Sequence, residues 1–174
     1  MTKSPRLFFA IVPDKSQQCE LFDLAKNVQL VSTEKITPAN MMHMTLRYIG
    51  PVSNDIKNCL ISKADQLVDS SFTLHLNKTA YWKKPQVTWA GSNEVDSGLL
   101  SLVDSIESIC QQCGVSAENR AYIPHVTLLK KSIMHSAIQL KEPIEWQVKQ
   151  FVLVESVSSS SGVVYNIIKD WLLH

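Results

Sequence analysis

The chain has 174 residues, of which 45% are hydrophobic and 19% are charged, and this composition is ordinary for a soluble globular protein. A chain of this length can bury a sizeable core, either in one domain or in two small fused lobes. The formal net charge of +1 at pH 7 excludes a long basic groove that follows many phosphates. It permits the binding of one phosphate or of one nucleic-acid end.

Strand-like and helix-like segments alternate along the chain, as judged from apolar periodicity and from turn residues. The segment before the second helix ends in Ser53, a predicted N-cap. A loop is predicted over 158–162 from its serines and glycine. The predicted segments are, in chain order, a strand over 7–12, a helix over 15–30, a strand through 43–50, a helix from Ser53 to Val68, strands over 72–77 and 86–91, a helix over 97–113, and strands from His125, over 148–157 and over 163–169.

The order of these segments contains a repeat. A strand, a helix, a loop and a second strand follow one another from Leu7 to Gly50, and the same order recurs from Val87 to Lys130. We therefore predict an α+β fold in which residues 1–174 form a single bilobal domain with pseudo-two-fold symmetry. Two antiparallel sheets are expected to face a central cleft, with the helices outside.

Each copy of the repeat ends in a His-x-Thr-x tetrapeptide. The first covers residues 43–46 (His-Met-Thr-Leu) and the second covers residues 125–128 (His-Val-Thr-Leu). Because side chains alternate along a strand, His43 and Thr45 project from one face, and His125 and Thr127 do the same in the second copy. The sequence therefore predicts two imidazoles and two hydroxyls in one cleft.

Two imidazoles on opposite sides of a phosphodiester can supply a general base and a general acid near neutral pH. Threonine hydroxyls can donate hydrogen bonds to the non-bridging phosphate oxygens. No metal or other cofactor is required by this chemistry, and neither motif strand carries the acidic residue that a metal site would favour. Solvated or structural roles are predicted for the remaining histidines, which are His75, His135 and His174.

The four cysteines are too few and too unevenly spaced for a disulfide framework. Cys110 and Cys113 form a Cys-x-x-Cys pair, but they close a predicted helix, where the helix dipole disfavours a thiolate. We expect buried structural cysteines here. Since no apolar run approaches the length of a membrane span, a cytoplasmic protein without a membrane partner is predicted.

The chain resembles the bacterial RNA 2′,3′-cyclic phosphodiesterases, which are also called 2′-5′ RNA ligases, of the two-histidine phosphoesterase superfamily. The resemblance extends over nearly the whole length. It is carried by residues 6–11, 43–50, 87–91, 124–130 and 151–156, and by Tyr165. Paired His-x-Thr-x motifs at this separation are specific for the superfamily and less specific for the substrate.

Membership would imply hydrolysis of a terminal RNA 2′,3′-cyclic phosphate to a 2′-phosphate, with reversible 2′-5′ ligation as a side activity. By this resemblance His43 is the proton donor to the leaving 3′ oxygen and His125 is the proton acceptor that activates water. Thr45 and Thr127 bind the phosphate. The implied partner is RNA with a cyclic phosphate end or a related nucleotide, and a monomer without an obligate protein partner is expected.

Further substrate-binding candidates are cationic or aromatic. The alternation of side chains along the strand places Arg47 on the face of His43. The same alternation turns Lys130 away from His125 unless the strand ends or bulges there. Relatives often carry Arg at this position, which keeps the charge and adds a bidentate group. Arg120 is ranked below Arg47. A terminal base could stack on one of several aromatic rings, which are Phe8, Phe9, Tyr48, Trp82 and Tyr122.

Two other readings remain open. The same chemistry could act on a small cyclic or 2′-5′ linked nucleotide, and comparing mononucleotide with oligonucleotide substrates would separate the two. Alternatively, the chain could be a non-catalytic module that binds a nucleotide or an RNA end. The intact pair of motifs argues against this second reading.

Overall fold

The computed structural model describes residues 5–134, 136–159 and 162–174. His135 and residues 160–161 of the predicted loop lie outside the described residues. The described elements are, in chain order, β1 (Arg6–Ile11), α1 (Lys15–Val28), β2 (Lys35–Ile36), a 3₁₀ turn (Ala39–Met41), β3 (Met44–Gly50), α2 (Asn54–Ala64), β4 (Phe72–Trp82), β5 (Val87–Gly91), α3 (Ser97–Gln112), β6 (Val126–Lys130), β7 (Ile138–Val148), β8 (Gln150–Ser159) and β9 (Gly162–Leu172).

The strands of the described residues form an antiparallel sheet in the order β7-β4-β5-β6-β3-β1-β8-β9, and β2 pairs with β6 at one end. The predicted α+β fold is confirmed, and each copy of the repeat places its first strand beside its motif strand: β1 pairs with β3 and β5 pairs with β6. The two predicted sheets are the two halves of this continuous sheet. They meet where Met44 of β3 pairs with Val126 of β6.

One hydrophobic core lies between the sheet and the helices. Helix α1 packs against β6 and β7 of the second half of the sheet, whereas α3 packs against β3 of the first half. Each of these two helices therefore packs against the half of the sheet that contains the other motif strand, and their buried residues belong to one cluster. Ser53 caps α2 as predicted, and Asp14 and Asp96 likewise accept hydrogen bonds from the first turns of α1 and α3.

Strand β7 is an element that the sequence did not reveal. It forms an edge of the sheet, where Pro143 and exposed charged residues interrupt the pattern of a typical strand. Alternation survives only in its second half, in which Ile144, Trp146 and Val148 are buried. Among the described residues, no helix combines the length and the apolarity needed to cross a bilayer.

The cysteines differ from the sequence prediction in one respect. Cys59 of α2 and Cys113 at the end of α3 form a disulfide across 54 residues, with Cα atoms 5.8 Å apart. Spacing along the chain could not indicate this pair, because it depends on the packing of α2 against α3. Cys110 remains a buried free thiol, and burial raises its pKa to about 12, so a reactive thiolate is disfavoured as predicted.

Replacing Cys59 with serine is expected to lower the free energy of unfolding by about 2–4 kcal/mol, because the bond no longer restricts the unfolded chain. Urea denaturation without a reductant measures the effect. Dithiothreitol should bring the wild-type protein to the level of the variant. Cys19→Ser is the matched control, since this thiol is free and exposed. Equal stability of the wild-type protein with and without reductant would contradict the prediction.

Candidate active site

The two His-x-Thr-x motifs meet at the centre of the sheet. Met44 and Val126 lie directly opposite one another and are completely buried on the helix side. In the same antiparallel register His43 lies beside Thr127, and Thr45 lies beside His125. Because alternate residues face opposite sides of a sheet, all four polar side chains point away from the helices. The predicted meeting of the two motifs on one face is therefore present.

Both imidazoles are held in the same way. The Nδ1 atom of His43 lies 2.8 Å from the carbonyl oxygen of Met41, and Nδ1 of His125 lies 2.8 Å from the carbonyl oxygen of Ile123. Since a carbonyl only accepts hydrogen bonds, Nδ1 carries the proton in each ring. The Nε2 atoms are then the nitrogens that can exchange protons with a substrate.

A β-bulge follows the threonine in each motif. On β3, Thr45 lies opposite Ala10 and Arg47 lies opposite Phe9, so Leu46 is the extra residue. On β6, Thr127 lies opposite Trp89 and Leu129 lies opposite Thr88, so the extra residue is the equivalent leucine of the second motif. Each bulge exchanges the two faces for the residues that follow it.

The first bulge corrects the placement of Arg47, which strand parity assigned to the face of His43. Arg47 shares the helix side of the sheet with Phe9, is only 9% exposed and forms an ion pair with Glu107 of α3. Its guanidinium also donates to the carbonyl oxygens of Tyr48 and Ser116. Arg47 is thus a structural cation that ties β3 to α3, and it is not available to the substrate.

The second bulge corrects the placement of Lys130 in the opposite direction. Lys130 lies directly opposite Val87, which shares a face with Trp89 and therefore with Thr127. The lysine is exposed on the cleft side, and its charge acts on the neighbouring His43. The equivalent position of the first motif strand is Tyr48, which lies opposite Phe8.

Aromatic rings flank both histidines. The ring centroids of Phe8 and Tyr165 lie 5.0 Å and 5.2 Å from that of His43. Around His125, the corresponding distances are 4.5 Å for Trp82 and 6.2 Å for Trp89. Phe8 is one of the stacking candidates that the sequence predicts, and its ring lies beside that of His43. Tyr165 and Trp89 were missed as site residues, and only pairing with distant strands could have shown them.

Other candidates are used within the protein. Tyr122 donates its hydroxyl to the carbonyl oxygen of Thr45 at 3.1 Å and packs against the main core, so it supports β3 and does not offer a stacking face. Phe9 is completely buried against Phe151 and Trp171 on the helix side. Arg120 is exposed and paired with Glu118.

The surroundings of the two imidazoles lower the pKa of both. Burial is the largest cause for each ring, and the bonds to the Met41 and Ile123 carbonyls oppose it. The positive charges of Lys130 and of protonated His125 lower the pKa of His43 further. The charge of the lysine therefore distinguishes two otherwise similar histidines. In the described part of the chain, no three His, Cys, Asp or Glu side chains are grouped to hold a metal ion.

The family model of the 2′-5′ RNA ligase superfamily matches residues 24–159. The chain belongs to this superfamily. Within the 2′-5′ RNA ligase superfamily, it is 28% identical to the RNA 2′,3′-cyclic phosphodiesterase of Escherichia coli (strain K12) over 99% of both chains. It is 20% identical to the RNA 2′,3′-cyclic phosphodiesterase of Aquifex aeolicus (strain VF5) over 98% of both.

This chain has the same fold as E. coli LigT in a crystal structure of its complex with 3′-AMP. The TM-score is 0.89 at 26% sequence identity, and the match covers 98% of this chain and 99% of the other. LigT in the apo form gives a TM-score of 0.87 over the same shares. The arrangement of strands and helices is thus common to the two proteins over their whole lengths.

Replacing Lys130 with methionine is expected to raise the pKa of His43, because a positive charge that disfavours the imidazolium is removed. The shift can be measured by NMR titration of the His43 ring, with His125 as the internal reference. Lys130→Arg keeps the charge and should leave the pKa of His43 unchanged. An equal shift in both variants, or none in Lys130→Met, would contradict the placement of the lysine beside His43.

Proposed function

We propose that this protein hydrolyses RNA 2′,3′-cyclic phosphodiester ends to 2′-phosphomonoester ends, with reversible 2′-5′ ligation as a side reaction. The names of its relatives support the substrate, and the paired histidines support the chemistry. Water attacks the phosphorus atom and the bond from phosphorus to the 3′ oxygen breaks. The 2′ oxygen keeps the phosphate, and the ribose regains its 3′ hydroxyl.

In this proposal the two histidines transfer one proton each. Nε2 of His125 accepts a proton from the attacking water, while Nε2 of His43 donates a proton to the leaving 3′ oxygen. After one turnover His125 is protonated and His43 is neutral, and exchange with solvent restores both. The hydroxyls of Thr45 and Thr127 donate to the non-bridging oxygens and hold the phosphate between the rings.

The choice of His43 as the donor follows the family resemblance, and the positive charge of Lys130 makes the His43 imidazolium a stronger acid while it lowers the protonated fraction. Lys130 lowers the pKa of His43, whereas the equivalent position on the other strand is the neutral Tyr48. A ring with a lower pKa releases its proton more readily to the leaving oxygen. The negative charge of a bound phosphate opposes this effect and favours the protonated ring when substrate is present.

The observation that carries the proposal is the matched geometry of the two rings. Both Nδ1 atoms donate to the carbonyl oxygen two residues earlier, and both Nε2 atoms remain for the substrate on one face of the sheet. One chain supplies both motifs, so we propose that the bilobal unit of residues 1–174 acts as a monomer. We place its activity in the cytoplasm, as the sequence analysis predicts.

Replacing either catalytic histidine with alanine is expected to lower kcat on a cyclic-phosphate RNA end by about 10²–10⁴-fold. Combining His43→Ala and His125→Ala should cost less than the product of the two effects, because the residues act on one transition state. Chromatography or ³¹P NMR identifies the 2′-phosphate product. His75→Ala is the matched control, since His75 is exposed on β4. Full activity in either single variant would exclude this mechanism.

The pH dependence of kcat/KM tests which histidine is the acid. At high pH the rate is limited by the protonated fraction of the acid, and at low pH by the neutral fraction of the base. Lys130→Met is expected to raise the pKa of His43. If His43 is the acid, kcat/KM should therefore increase at alkaline pH and change little at acid pH. Lys130→Arg should keep the wild-type profile. A change of kcat/KM confined to acid pH would instead make His43 the base and His125 the acid.

A further inference from the structure

Five exposed lysines lie at the end of the sheet where β6 finishes. Lys130 is the last residue of β6, and a lysine of β2 lies directly opposite it. Two more lysines lie in the turn between β4 and β5, and the last follows β6. We call this group the lysine rim, and its members are Lys35, Lys83, Lys84, Lys130 and Lys131.

The turn between β4 and β5 is fixed against the end of β6. Ser132 donates its backbone N–H to the carbonyl oxygen of Gln86 at 3.0 Å, and Tyr81 donates its hydroxyl to the carbonyl oxygen of Ser132 at 3.3 Å. The turn residues line an open cavity of about 440 Å³, which Lys83 and Lys84 border. The lysines of the turn and of β6 therefore belong to one surface.

Two links connect this surface to the active site. Trp82, whose ring contacts that of His125, is the residue immediately before Lys83. Lys130 lies on the cleft face with Thr127, and its charge acts on His43. An RNA strand whose cyclic phosphate lies between the histidines can thus continue past Trp82 onto the lysine rim.

The charge of the lysine rim is not compensated by neighbouring carboxylates. In residues 5–134, 136–159 and 162–174, none of its lysines forms an ion pair. The adjacent Glu34 is only 2% exposed, and its oxygens accept hydrogen bonds from Leu30, Val31, Ser132 and Ile133. These hydrogen bonds come from backbone N–H groups and the Ser132 hydroxyl, and none of them comes from a lysine of the rim.

Part of the lysine rim also carries an electrostatic cost in the free protein. Lys35 and Lys130 lie directly opposite one another on β2 and β6, and like charges in this position destabilise a sheet. An anion bound between them removes that repulsion. Since the whole chain has a net charge of only +1, this local excess of positive charge indicates a polyanionic ligand at one end of the cleft.

We propose that the lysine rim binds the backbone phosphates that precede the cyclic end of a single-stranded RNA, which makes an oligonucleotide the preferred substrate. This inference rests on the proposed function, because the cyclic end must occupy the site between the histidines. The number of lysines and the small net charge of the chain suggest contacts with about two phosphates. A mononucleotide has no such phosphates and gains nothing from the lysine rim.

Two substrates and two double variants test the inference. Binding is measured by fluorescence anisotropy with a labelled RNA oligonucleotide that ends in a 2′-phosphate, and turnover is measured with 2′,3′-cyclic AMP. The test variant is Lys83→Ala/Lys84→Ala. The control is Lys15→Ala/Lys63→Ala, which removes the same charge from exposed positions on α1 and α2, on the opposite side of the sheet.

Counterion release predicts that the wild-type Kd for the oligonucleotide rises about sevenfold when the salt concentration rises fourfold, for about two contacted phosphates. Lys83→Ala/Lys84→Ala should weaken oligonucleotide binding at low salt about fivefold and reduce the salt dependence of Kd. Turnover of 2′,3′-cyclic AMP should stay at the wild-type rate, which shows that the variant is folded. Lys35→Ala, on another strand, should weaken binding in the same direction. The control variant should behave as the wild-type protein does.

The outcomes separate the two proposals. Turnover of cyclic AMP together with equal oligonucleotide affinity in the wild-type protein and both double variants would overturn the lysine rim and leave the proposed function intact. Equal losses in the test and control variants would also overturn it, because the effect would then be one of net charge. If the wild-type protein turns over neither 2′,3′-cyclic AMP nor an RNA oligonucleotide with a cyclic phosphate end, while its binding still depends on the lysine rim, the proposed hydrolysis would instead be overturned.

Discussion

The pairing of Met44 with Val126 is the contact on which the site depends. These two residues join the halves of the sheet, and both are completely buried. Because the strands run antiparallel through this pair, it lies on the approximate two-fold axis that relates the motifs. Each histidine is thereby placed beside the threonine of the other motif. A shift of this register by one residue would turn the motif side chains of one strand into the core.

The two bulges make an approximately symmetric frame chemically asymmetric. Each motif strand gains an extra leucine after its threonine, so the fourth residue after the histidine turns to the helices and the fifth turns to the cleft. In the first copy these residues are Arg47 and Tyr48. In the second copy they are Leu129 and Lys130. One copy thus buries its cation against Glu107, and the other presents a cation to the substrate side.

The helices hold this frame together from the opposite face. Helix α1 packs against the second half of the sheet and α3 against the first, so separation of the halves would expose the shared core. Arg47 strengthens the same connection by binding Glu107 of α3 and the carbonyl oxygen of Ser116, in the segment that leads to the second motif. The cleft side is left to the histidines, the threonines and the aromatic rings beside them.

The amino-acid sequence by itself determined the α+β class, the repeat, the Ser53 cap of α2 and the identity of the four motif residues. These features depend on local periodicity and on residue type, which neighbouring positions reveal. Only the tertiary structure decided the faces of Arg47 and Lys130, because each bulge is defined by the strand opposite it. The Cys59–Cys113 pair, Tyr165 beside His43 and the gathering of the lysine rim likewise depend on contacts between distant segments. Parity along one strand carries no information about those contacts.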